Sequence, residues 1–353
     1  MDKVRAAIVG YGYAGRRYHA SLIDAAQGIE LCAVASRAPE RREQARQDWD
    51  VAVYPSVDQL LADESVELVV LATPHDTHKP LAVQCLDAGK HVVTDKLMCM
   101  NTAEADQMID AARRNERMLS VFQNRRWDCD FLTLRAVLAE GRLGELRTIE
   151  SCVVTNEKAS PDAWRSQKRH GGGSFRDWGP HLLDQLLLLV DSPVDRVLCD
   201  MYYEQSNIDV DTAARCRIGF LNGVQCLVET GWTSPLPRLR WSVQGTRGTF
   251  RKFGVDPQVL GIREGRVDPG LPLPEGEHPE TCVEQNGRSV RERVETVPGN
   301  WPAYYENIAA HLRRNVDLAV TPGQARRVMR LIDAAFESAE LRKRVRLDEP
   351  APG

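Results

Sequence analysis

The stretch Ala6-Ala7-Ile8-Val9-Gly10-Tyr11-Gly12-Tyr13-Ala14-Gly15 decides the fold, because a short apolar run leads directly into a Gly-x-Gly-x-x-Gly pattern. Gly10 permits a tight turn, Gly12 lets the backbone approach a pyrophosphate, and Gly15 lets a predicted helix over residues 16–26 lie against the strand. The N-terminus of that helix offers free N–H groups and the positive end of its dipole to phosphates. A glycine-rich turn without a ligand is the alternative for a lone match, but the segments that follow favour a dinucleotide cradle.

Alternating helical and apolar segments continue to about residue 121. The predicted strands are residues 29–35, 68–71, 91–93 and 119–122, and the predicted helices are residues 39–48, 57–61, 78–88 and 103–115. Fully apolar runs are typical of parallel strands covered on both faces. The sequence therefore predicts an α/β fold that begins with a Rossmann-type, doubly wound parallel sheet. Its ligand crevice is expected at the carboxyl ends of the strands, near Gly10, Ser36, Thr73 and Thr94.

From about residue 146 the rhythm changes to longer β-runs without intervening helices. These runs are residues 146–154, 194–203, 213–220, 223–230 and 240–244. They predict a C-terminal α+β domain with a large, mostly antiparallel open sheet and one helix over residues 180–190. The Pro- and Gly-rich residues 268–278 are predicted to form a surface loop, and residues 301–315 and 325–340 the last two helices.

This pattern predicts three parts along the chain. They are a dinucleotide-binding domain over residues 1–122, an α+β substrate and oligomerisation domain over residues 123–300, and C-terminal helices over residues 301–345 that pack back on the body.

Composition excludes several classes of function. The chain has 353 residues, a formal net charge of −4 and 42% hydrophobic residues, without a basic block, so a nucleic-acid surface and disorder are not expected. No run approaches transmembrane length and the first residues form no apolar signal core, which predicts a cytoplasmic protein without a membrane partner. The nine cysteines form no Cys-x-x-Cys pair, so neither a disulfide framework nor a metal site is expected.

Four further runs carry a family resemblance. They are Thr73-Pro74-His75-Asp76-Thr77-His78, Ala88-Gly89-Lys90-His91-Val92, Thr94-Asp95-Lys96-Leu97 and Asp177-Trp178-Gly179-Pro180-His181-Leu182-Leu183-Asp184. Together with the glycine pattern, and in this order, they resemble the Gfo/Idh/MocA family of glucose-fructose oxidoreductases and inositol dehydrogenases. The resemblance extends over nearly the whole chain, up to residues 321–327.

The resemblance implies three catalytic residues. Lys96 corresponds to the lysine of the family's Glu-Lys-Pro motif, and Asp177 and His181 correspond to its Asp-x-x-x-His pair. Oxidation of a secondary alcohol needs a base for the hydroxyl proton, and an imidazole titrates near working pH. Asp177 is expected to orient His181 or to share in the proton relay, and the Lys96 ammonium to stabilise developing alkoxide character. Read singly, Asp177 could instead be a helix cap, His181 a packed histidine and Lys96 a solvated charge.

Three local features of this motif bear on its geometry. Pro180 suits the first turn of a helix, which would place His181 near the positive helix end, where a neutral imidazole is favoured. Leu97 stands where the family has proline, so easy access to a cis peptide is lost and the backbone that presents Lys96 is expected to differ. His75 stands where the family commonly has asparagine, near the expected nicotinamide edge.

The position after the second predicted strand bears on the choice of cofactor. An Asp or Glu there would grip a free ribose diol, but this chain has Ser36-Arg37, with Arg41 and Arg42 on the next helix. Hydroxyl and guanidinium donors suit a 2′-phosphate. We therefore expect NADP, with NAD usable if Arg37 stacks on adenine instead. The predicted cofactor contacts are Gly10, Gly12, Tyr13, Ala14, Gly15, Ser36, Arg37, Arg41, Thr73, Pro74, His75, His78, Asp95 and Lys96.

Two further segments, residues 124–128 and 164–165, resemble segments that border the sugar pocket in the family. The predicted substrate contacts are Arg126, Trp127, Trp164, Arg165, Trp178 and His181. An indole face suits the C–H face of a pyranose or cyclitol ring, and arginines donate to ring hydroxyls. The glycine run at residues 171–173 is expected to give mobility at the pocket rim.

These expectations predict an NADP-dependent oxidoreductase that interconverts a ring secondary alcohol and ketone on a sugar, glycoside or inositol-like compound, without a metal. One alternative is a glycoside-cleaving lyase or hydrolase that oxidises its substrate transiently with a tightly held cofactor. Another is a non-catalytic dinucleotide-binding regulator. The resemblance also implies a homodimer or homotetramer formed through the open face of the second-domain sheet.

Overall fold

The chain folds into two compact units. The structure, a computed structural model, describes residues 2–156, 160–232, 234–236 and 238–348. The first unit comprises Met1–Asn124, Gln258–Pro269 and Asn300–Met329. The second comprises Arg125–Pro257, Gly270–Gly299 and Arg330–Gly353.

The first unit contains a six-stranded parallel sheet, in the order β3-β2-β1-β4-β5-β6. Its strands are β1 Val4–Val9, β2 Ile29–Ala35, β3 Ala52–Tyr54, β4 Leu68–Leu71, β5 His91–Thr94 and β6 Leu119–Val121. All four residues of β4 are fully buried, as continuous apolar runs predict for a central parallel strand. The strand order is that of dinucleotide-binding folds, and the predicted fold class is confirmed.

Ten α-helices lie in the described part of the chain. They are α1 Ser21–Ala25, α2 Pro39–Trp49, α3 Val57–Leu61, α4 His78–Asp87, α5 Thr102–Arg114, α6 Cys129–Ala139, α7 Ser174–Leu189, α8 Gln258–Arg263, α9 Ala303–Arg314 and α10 Pro322–Leu341. A wide π-type segment, Ala14–Ala20, leads into α1. Local capping sets some boundaries: Asn101 accepts the N–H of Glu104 at 2.9 Å, and the Glu104 carboxylate accepts the N–H of Met100 at 2.9 Å, so α5 begins between them.

The second unit contains a nine-stranded sheet, in the order β14-β13-β12-β11-β7-β10-β9-β8-β15. Its strands are β7 Leu146–Val154, β8 Val194–Tyr202, β9 Ala213–Phe220, β10 Gln225–Gly231, β11 Leu239–Gly245, β12 Gly248–Phe253, β13 Glu280–Gln285, β14 Arg288–Arg293 and β15 Val345–Arg346. All neighbours are antiparallel except β7 and β10. Helix α7 packs on β7, β9 and β10, so it lies against the sheet that positions it.

Helix α7 begins earlier than the sequence predicts. It starts at Ser174, and Pro180 lies inside it rather than in its first turn. The start is set by Asp211, whose carboxylate accepts the hydroxyl of Ser174 at 2.8 Å and the N–H of Phe175 at 2.8 Å. The prediction that His181 lies at the positive helix end is therefore wrong, because the helix N-terminus is capped from a segment distant in sequence.

Several elements were not predicted, namely β3, β12, β13, β14, β15, α6 and α8. Residues 268–278 form no helix or strand, as expected for a loop. No helix among the described residues combines the length and apolar character that a membrane crossing requires.

Candidate active site

The glycine pattern of the first unit forms a turn in which Gly10 and Gly15 pack against backbone atoms and Gly12 faces open space. Gly10 has φ +94°, and a Cβ there would lie 2.5 Å from the carbonyl oxygen of Ala72. A Cβ on Gly15 would lie 2.0 Å from the carbonyl oxygen of Gly10. A Cβ on Gly12 would meet no atom within 4 Å. Packing therefore accounts for Gly10 and Gly15, whereas Gly12 faces open space, where a side chain would obstruct a pyrophosphate. The turn fits a dinucleotide.

A polar cluster supports this turn from behind. The buried Tyr11 hydroxyl donates to Asp48 at 2.8 Å and accepts the indole N–H of Trp49 at 2.7 Å. Arg16 donates to both Asp48 oxygens, at 2.7 and 3.0 Å. Burial raises the pKa of Tyr11, and the neighbouring Asp48 carboxylate raises it further. The cluster ties α2 to the start of the helix after the glycine turn. The role of Arg16 is therefore to support this turn.

The three arginines after β2 have different environments. Arg42 donates from Nη1 to the carbonyl oxygens of Ser36 at 2.7 Å and Arg37 at 2.9 Å, so it caps the strand end. Arg41 donates to the Gln44 side chain at 3.1 Å. The exposed Arg37 guanidinium has neither a hydrogen bond nor an ion pair with another side chain or backbone group in the described part of the chain. Of the three, Arg37 is the one with all of its guanidinium donors available to a ligand, since Arg41 and Arg42 each commit donors to the protein.

The segment after β4 is tied together by hydroxyl groups. The Thr73 and Thr77 hydroxyls lie 2.6 Å apart, and Thr77 donates to the Pro74 carbonyl oxygen at 2.7 Å. These bonds close a short 3-10 turn, His75–Thr77, from which α4 continues. The predicted cofactor residues Thr73 and Pro74 thus lie in a rigid turn at the carboxyl edge of the sheet.

Two histidines join this turn to the segment after β5. His78 is fully buried, with Nδ1 at 2.7 Å from the Leu97 carbonyl oxygen and Nε2 at 2.9 Å from that of Thr73. His75 has Nε2 at 3.1 Å from the Lys96 carbonyl oxygen. Burial lowers the pKa of His78, the strongest influence on it. Both histidines hold the backbone on which Lys96 is presented, so His78 bridges two protein segments.

The peptide bond between Lys96 and Leu97 is cis. The prediction that leucine at this position removes the cis peptide is therefore wrong. Leu97 is 1% exposed, and the carbonyl oxygens of both residues face histidine side chains. The residue type at position 97 does not reveal the conformation of this bond. The side chains that surround the bond define the backbone here.

Asp95 lies directly beside Lys96. Its Oδ1 accepts the backbone N–H of Lys96 at 2.8 Å, and its Oδ2 lies 3.7 Å from Nε2 of His19. Burial alone would raise the pKa of the Asp95 carboxyl, but the interaction with His19 and the positive charge of Lys96 outweigh burial and hold the pKa well below its usual range. Asp95 is therefore a carboxylate at neutral pH.

In the second unit, α7 carries Asp177, Trp178 and His181. The spacing of four residues places Asp177 and His181 on one helix face. Arg165 has Nε at 3.8 Å from Asp177 Oδ1, and its guanidinium lies 4.6 Å from the ring centre of Trp164. The Trp178 and His181 rings meet edge to face at 6.1 Å. The structure thus brings these five predicted residues into one neighbourhood of the second unit.

Arg126 is held by a buried ion pair. It donates from Nε to Asp184 at 2.7 Å and from Nη2 at 2.6 Å, with both side chains under 10% exposed. Its neighbour Arg125 lies 4.9 Å from the Trp178 ring centre, and the Arg125 carbonyl oxygen accepts from Gln185 at 2.6 Å. The predicted substrate residue Arg126 thus fixes its segment to α7, while Trp127 is half-buried.

Sequence reasoning missed the residues that support this cluster. Arg240 is 2% exposed and donates to Ser151 and Gln185, both at 2.5 Å, with its Nε 3.1 Å from Asp130. Only Asp184 left a signal, because it follows Asp177 by two helical turns within the motif. Within the described residues no His, Cys, Asp and Glu side chains are grouped as a metal site requires.

The strand order and the open glycine turn define a dinucleotide-binding protein, and the family models identify its class as a nicotinamide-dinucleotide-dependent oxidoreductase. Residues 4–123 match the family model of an oxidoreductase family with an NAD-binding Rossmann fold, and residues 131–251 match that of the GFO/IDH/MocA C-terminal domain. The chain belongs to the Gfo/Idh/MocA family of oxidoreductases, and the resemblance seen in the sequence is confirmed.

Relatives match the chain over almost its full length. The uncharacterized oxidoreductase YdgJ of Escherichia coli is 37% identical over 97% of this chain and 98% of its own length. The scyllo-inositol 2-dehydrogenase (NADP(+)) IolW of Bacillus subtilis is 28% identical over 99% of this chain and 97% of its own. The crystal structure of an NAD-binding protein from Listeria innocua has a TM-score of 0.85 and 33% identity, over 99% of this chain and 98% of that one.

Proposed function

We propose that this oxidoreductase uses NADP to interconvert a ring secondary alcohol and ketone on a sugar, glycoside or inositol-like polyol. The choice of cofactor rests on Arg37, which follows the end of β2. Its exposed guanidinium has no protein partner in the described chain. A 2′-phosphate is the ligand group that such a donor suits. The similarity to IolW, which is named as an NADP-dependent inositol dehydrogenase, supports both the cofactor and the substrate class.

The residues of the chain supply proton transfer and charge stabilisation. When bound, the nicotinamide ring supplies the hydride acceptor or donor. His181 takes the hydroxyl proton of the alcohol, and Asp177 orients that imidazole from the preceding helical turn. The Lys96 ammonium donates to the substrate oxygen and stabilises negative charge there. The Arg165 guanidinium and the Trp178 ring contact the ring hydroxyls and the C–H face of the substrate.

A panel of sugars and cyclitols, each tested with NADP+ and NAD+, checks the proposal through the absorbance of the reduced nicotinamide. Lys96→Ala and His181→Ala should each lower kcat strongly and leave coenzyme binding largely intact. Lys3→Ala and His278→Ala are matched controls, because Lys3 is exposed and His278 lies in the loop before β13. Near-wild-type rates in both catalytic variants would refute the assignment. Substrate cleavage by protein that carries a copurifying cofactor, without a net change in the absorbance of the reduced nicotinamide, would favour the lyase alternative.

We also propose a cytoplasmic homodimer or homotetramer that associates through the sheet face opposite α7. Along β10, Cys226 and Val228 are buried beneath the helix, whereas Leu227 and Glu229 alternate with them toward the other face. Glu229 pairs there with Arg238 at 2.8 Å. Light scattering coupled to size-exclusion chromatography should give twice or four times the chain mass, and a monomer mass at micromolar concentration contradicts this assembly.

A further inference from the structure

A buried histidine in the first unit lies between a tyrosine and the carboxylate beside Lys96. His19 is 0% exposed, and its Nδ1 lies 2.6 Å from the Tyr305 hydroxyl. Its Nε2 lies 3.7 Å from Asp95 Oδ2 and has no hydrogen-bond partner among the described residues. The Phe122 ring packs on the imidazole at 4.5 Å between ring centres. Both ring nitrogens therefore have one polar neighbour each.

Chemistry selects one direction for this chain of groups. Burial raises the pKa of Tyr305 well above its ordinary value, so its hydroxyl stays protonated and can donate. If Tyr305 donates to Nδ1, the neutral imidazole carries its proton on Nε2, which then points to the Asp95 carboxylate. The opposite tautomer would direct a lone pair at a carboxylate, which is repulsive. The favoured order is thus Tyr305 to His19 to Asp95.

The carboxylate passes this constraint to Lys96. One Asp95 oxygen accepts the Lys96 backbone N–H at 2.8 Å, and the other faces His19. One oxygen is thus held by a hydrogen bond, and electrostatic attraction to the His19 Nε2–H restrains the other, which limits rotation of the side chain. The other charged or titratable groups that act on Asp95 are the Lys96 ammonium and His78 on α4. The separation of 3.7 Å is longer than a hydrogen bond, as catalytic contacts often are before substrate binds.

We propose that His19 and Tyr305 are positioning residues that hold Asp95 in the orientation that presents Lys96 to the substrate oxygen. His19 lies four residues after Gly15, in the helix that follows the glycine cradle. The same helix therefore shapes the coenzyme turn and anchors the catalytic lysine. This inference rests on the proposed role of Lys96.

The first experiment compares His19→Gln with His19→Asn in the full chain. A glutamine amide reaches the position of the imidazole Nε2 and can still donate to Asp95, whereas an asparagine amide reaches only the position of Nδ1. We expect His19→Gln to keep kcat within about threefold and His19→Asn to lower it by about 10- to 100-fold, because a misplacement near 1 Å has that effect. NADP+ affinity, measured by fluorescence titration, should change less than kcat in both. Equal losses in the two variants would mean general damage to packing and would overturn the proposal.

The second experiment uses adjacent tyrosines as a matched pair. Tyr304 and Tyr305 are both at most 1% exposed, and the Tyr304 hydroxyl donates to Ser120 at 3.0 Å. Each Tyr→Phe change removes a buried hydroxyl that hydrogen-bonds to another side chain. We expect Tyr305→Phe to lower kcat and Tyr304→Phe to leave it unchanged, at similar thermal unfolding midpoints. The reverse order, or no difference, contradicts the proposal.

Histidine nitrogen shifts provide a readout that needs no turnover. In protein labelled with ¹⁵N-histidine and free of coenzyme, the signal absent from His19→Gln identifies His19. We expect a protonated Nε2 and an unprotonated Nδ1 that shifts in Tyr305→Phe; a proton on Nδ1 alone overturns the inferred direction. Lys96→Ala is assayed in parallel. If it is fully active, the proposed function fails; if it is inactive while His19→Asn matches wild type, only the positioning role fails.

Discussion

Replacing Gly12 and Gly15 separately by alanine should divide coenzyme binding from folding. Gly12→Ala adds a methyl group where no atom lies within 4 Å, and Gly12 does not have a positive φ. Alanine is thus accepted by the backbone, and the narrower unfolded ensemble should raise the free energy of unfolding by about 0.4–1 kcal/mol. The same methyl group obstructs the approach of the pyrophosphate, so we expect the Kd for NADP+ to rise by at least about tenfold, or 1.4 kcal/mol.

Gly15→Ala should have the opposite pattern. Its Cβ would lie 2.0 Å from the Gly10 carbonyl oxygen, about 1 Å closer than side-chain carbons approach backbone oxygens. The turn or the helix must move, and overpacking of this kind costs about 1–3 kcal/mol. Coenzyme affinity should also fall, but as a consequence of the displaced turn.

Thermal unfolding without coenzyme and fluorescence titration with NADP+ measure the two effects. We expect an unchanged or higher unfolding midpoint and weaker binding for Gly12→Ala, and a lower midpoint for Gly15→Ala. Wild-type affinity in Gly12→Ala would show that no phosphate approaches this turn. A lower midpoint in Gly12→Ala would show that the space beside it is filled by the protein.

Three further changes test other parts of the structure. Arg37→Asp should raise the Kd for NADP+ by about 10- to 100-fold and leave that for NAD+ nearly unchanged; equal changes for both coenzymes in the titration contradict a 2′-phosphate contact. Burial lowers the pKa of His91 to about 4. The unfolded chain then binds the extra proton from about pH 6.5 downward, so stability should fall between pH 6.5 and 4, by about 2 kcal/mol after allowance for partial exposure. Urea unfolding at several pH values should show this slope, reduced in His91→Gln. Asp184→Ala leaves Arg126 buried without its carboxylate and should cost about 3–5 kcal/mol, whereas the exposed Asp191→Ala should have little effect; equal losses contradict the buried pair.

Central elements of the fold were predictable because their burial is written in local sequence. The run Leu68–Leu71 is apolar throughout and forms a central strand buried on both faces. Edge strands lack this signal: β14, Arg288–Arg293, has one half-buried residue among exposed charged and polar ones. It is a strand because β13 pairs with it, and pairing between segments is not visible in the composition of either one.

The boundary of α7 was not predictable for a related reason. Proline at the first turn is a sound local signal, yet Pro180 lies within the helix. The competing signal was Asp211, 37 residues beyond Ser174 in sequence, whose carboxylate satisfies the N-terminal groups of the helix. Local rules identify the residues that could cap a helix, but only the tertiary fold shows which carboxylate does so.

The same limit applies to the candidate site, where the sequence identified residue types in order but not their partners. Arg37, Arg41 and Arg42 are equivalent in charge, and nothing in the sequence ranks them. In the structure Arg42 is bound to two backbone carbonyl groups, Arg41 to a neighbouring side chain, and Arg37 to no described residue. Arg41 and Arg42 each hold one guanidinium nitrogen in bonds to the protein, whereas every donor of the exposed Arg37 contacts only solvent and loses only water when a phosphate binds. Preference for a 2′-phosphate should therefore depend on Arg37 more than on the other two, although all three lie at the same strand end.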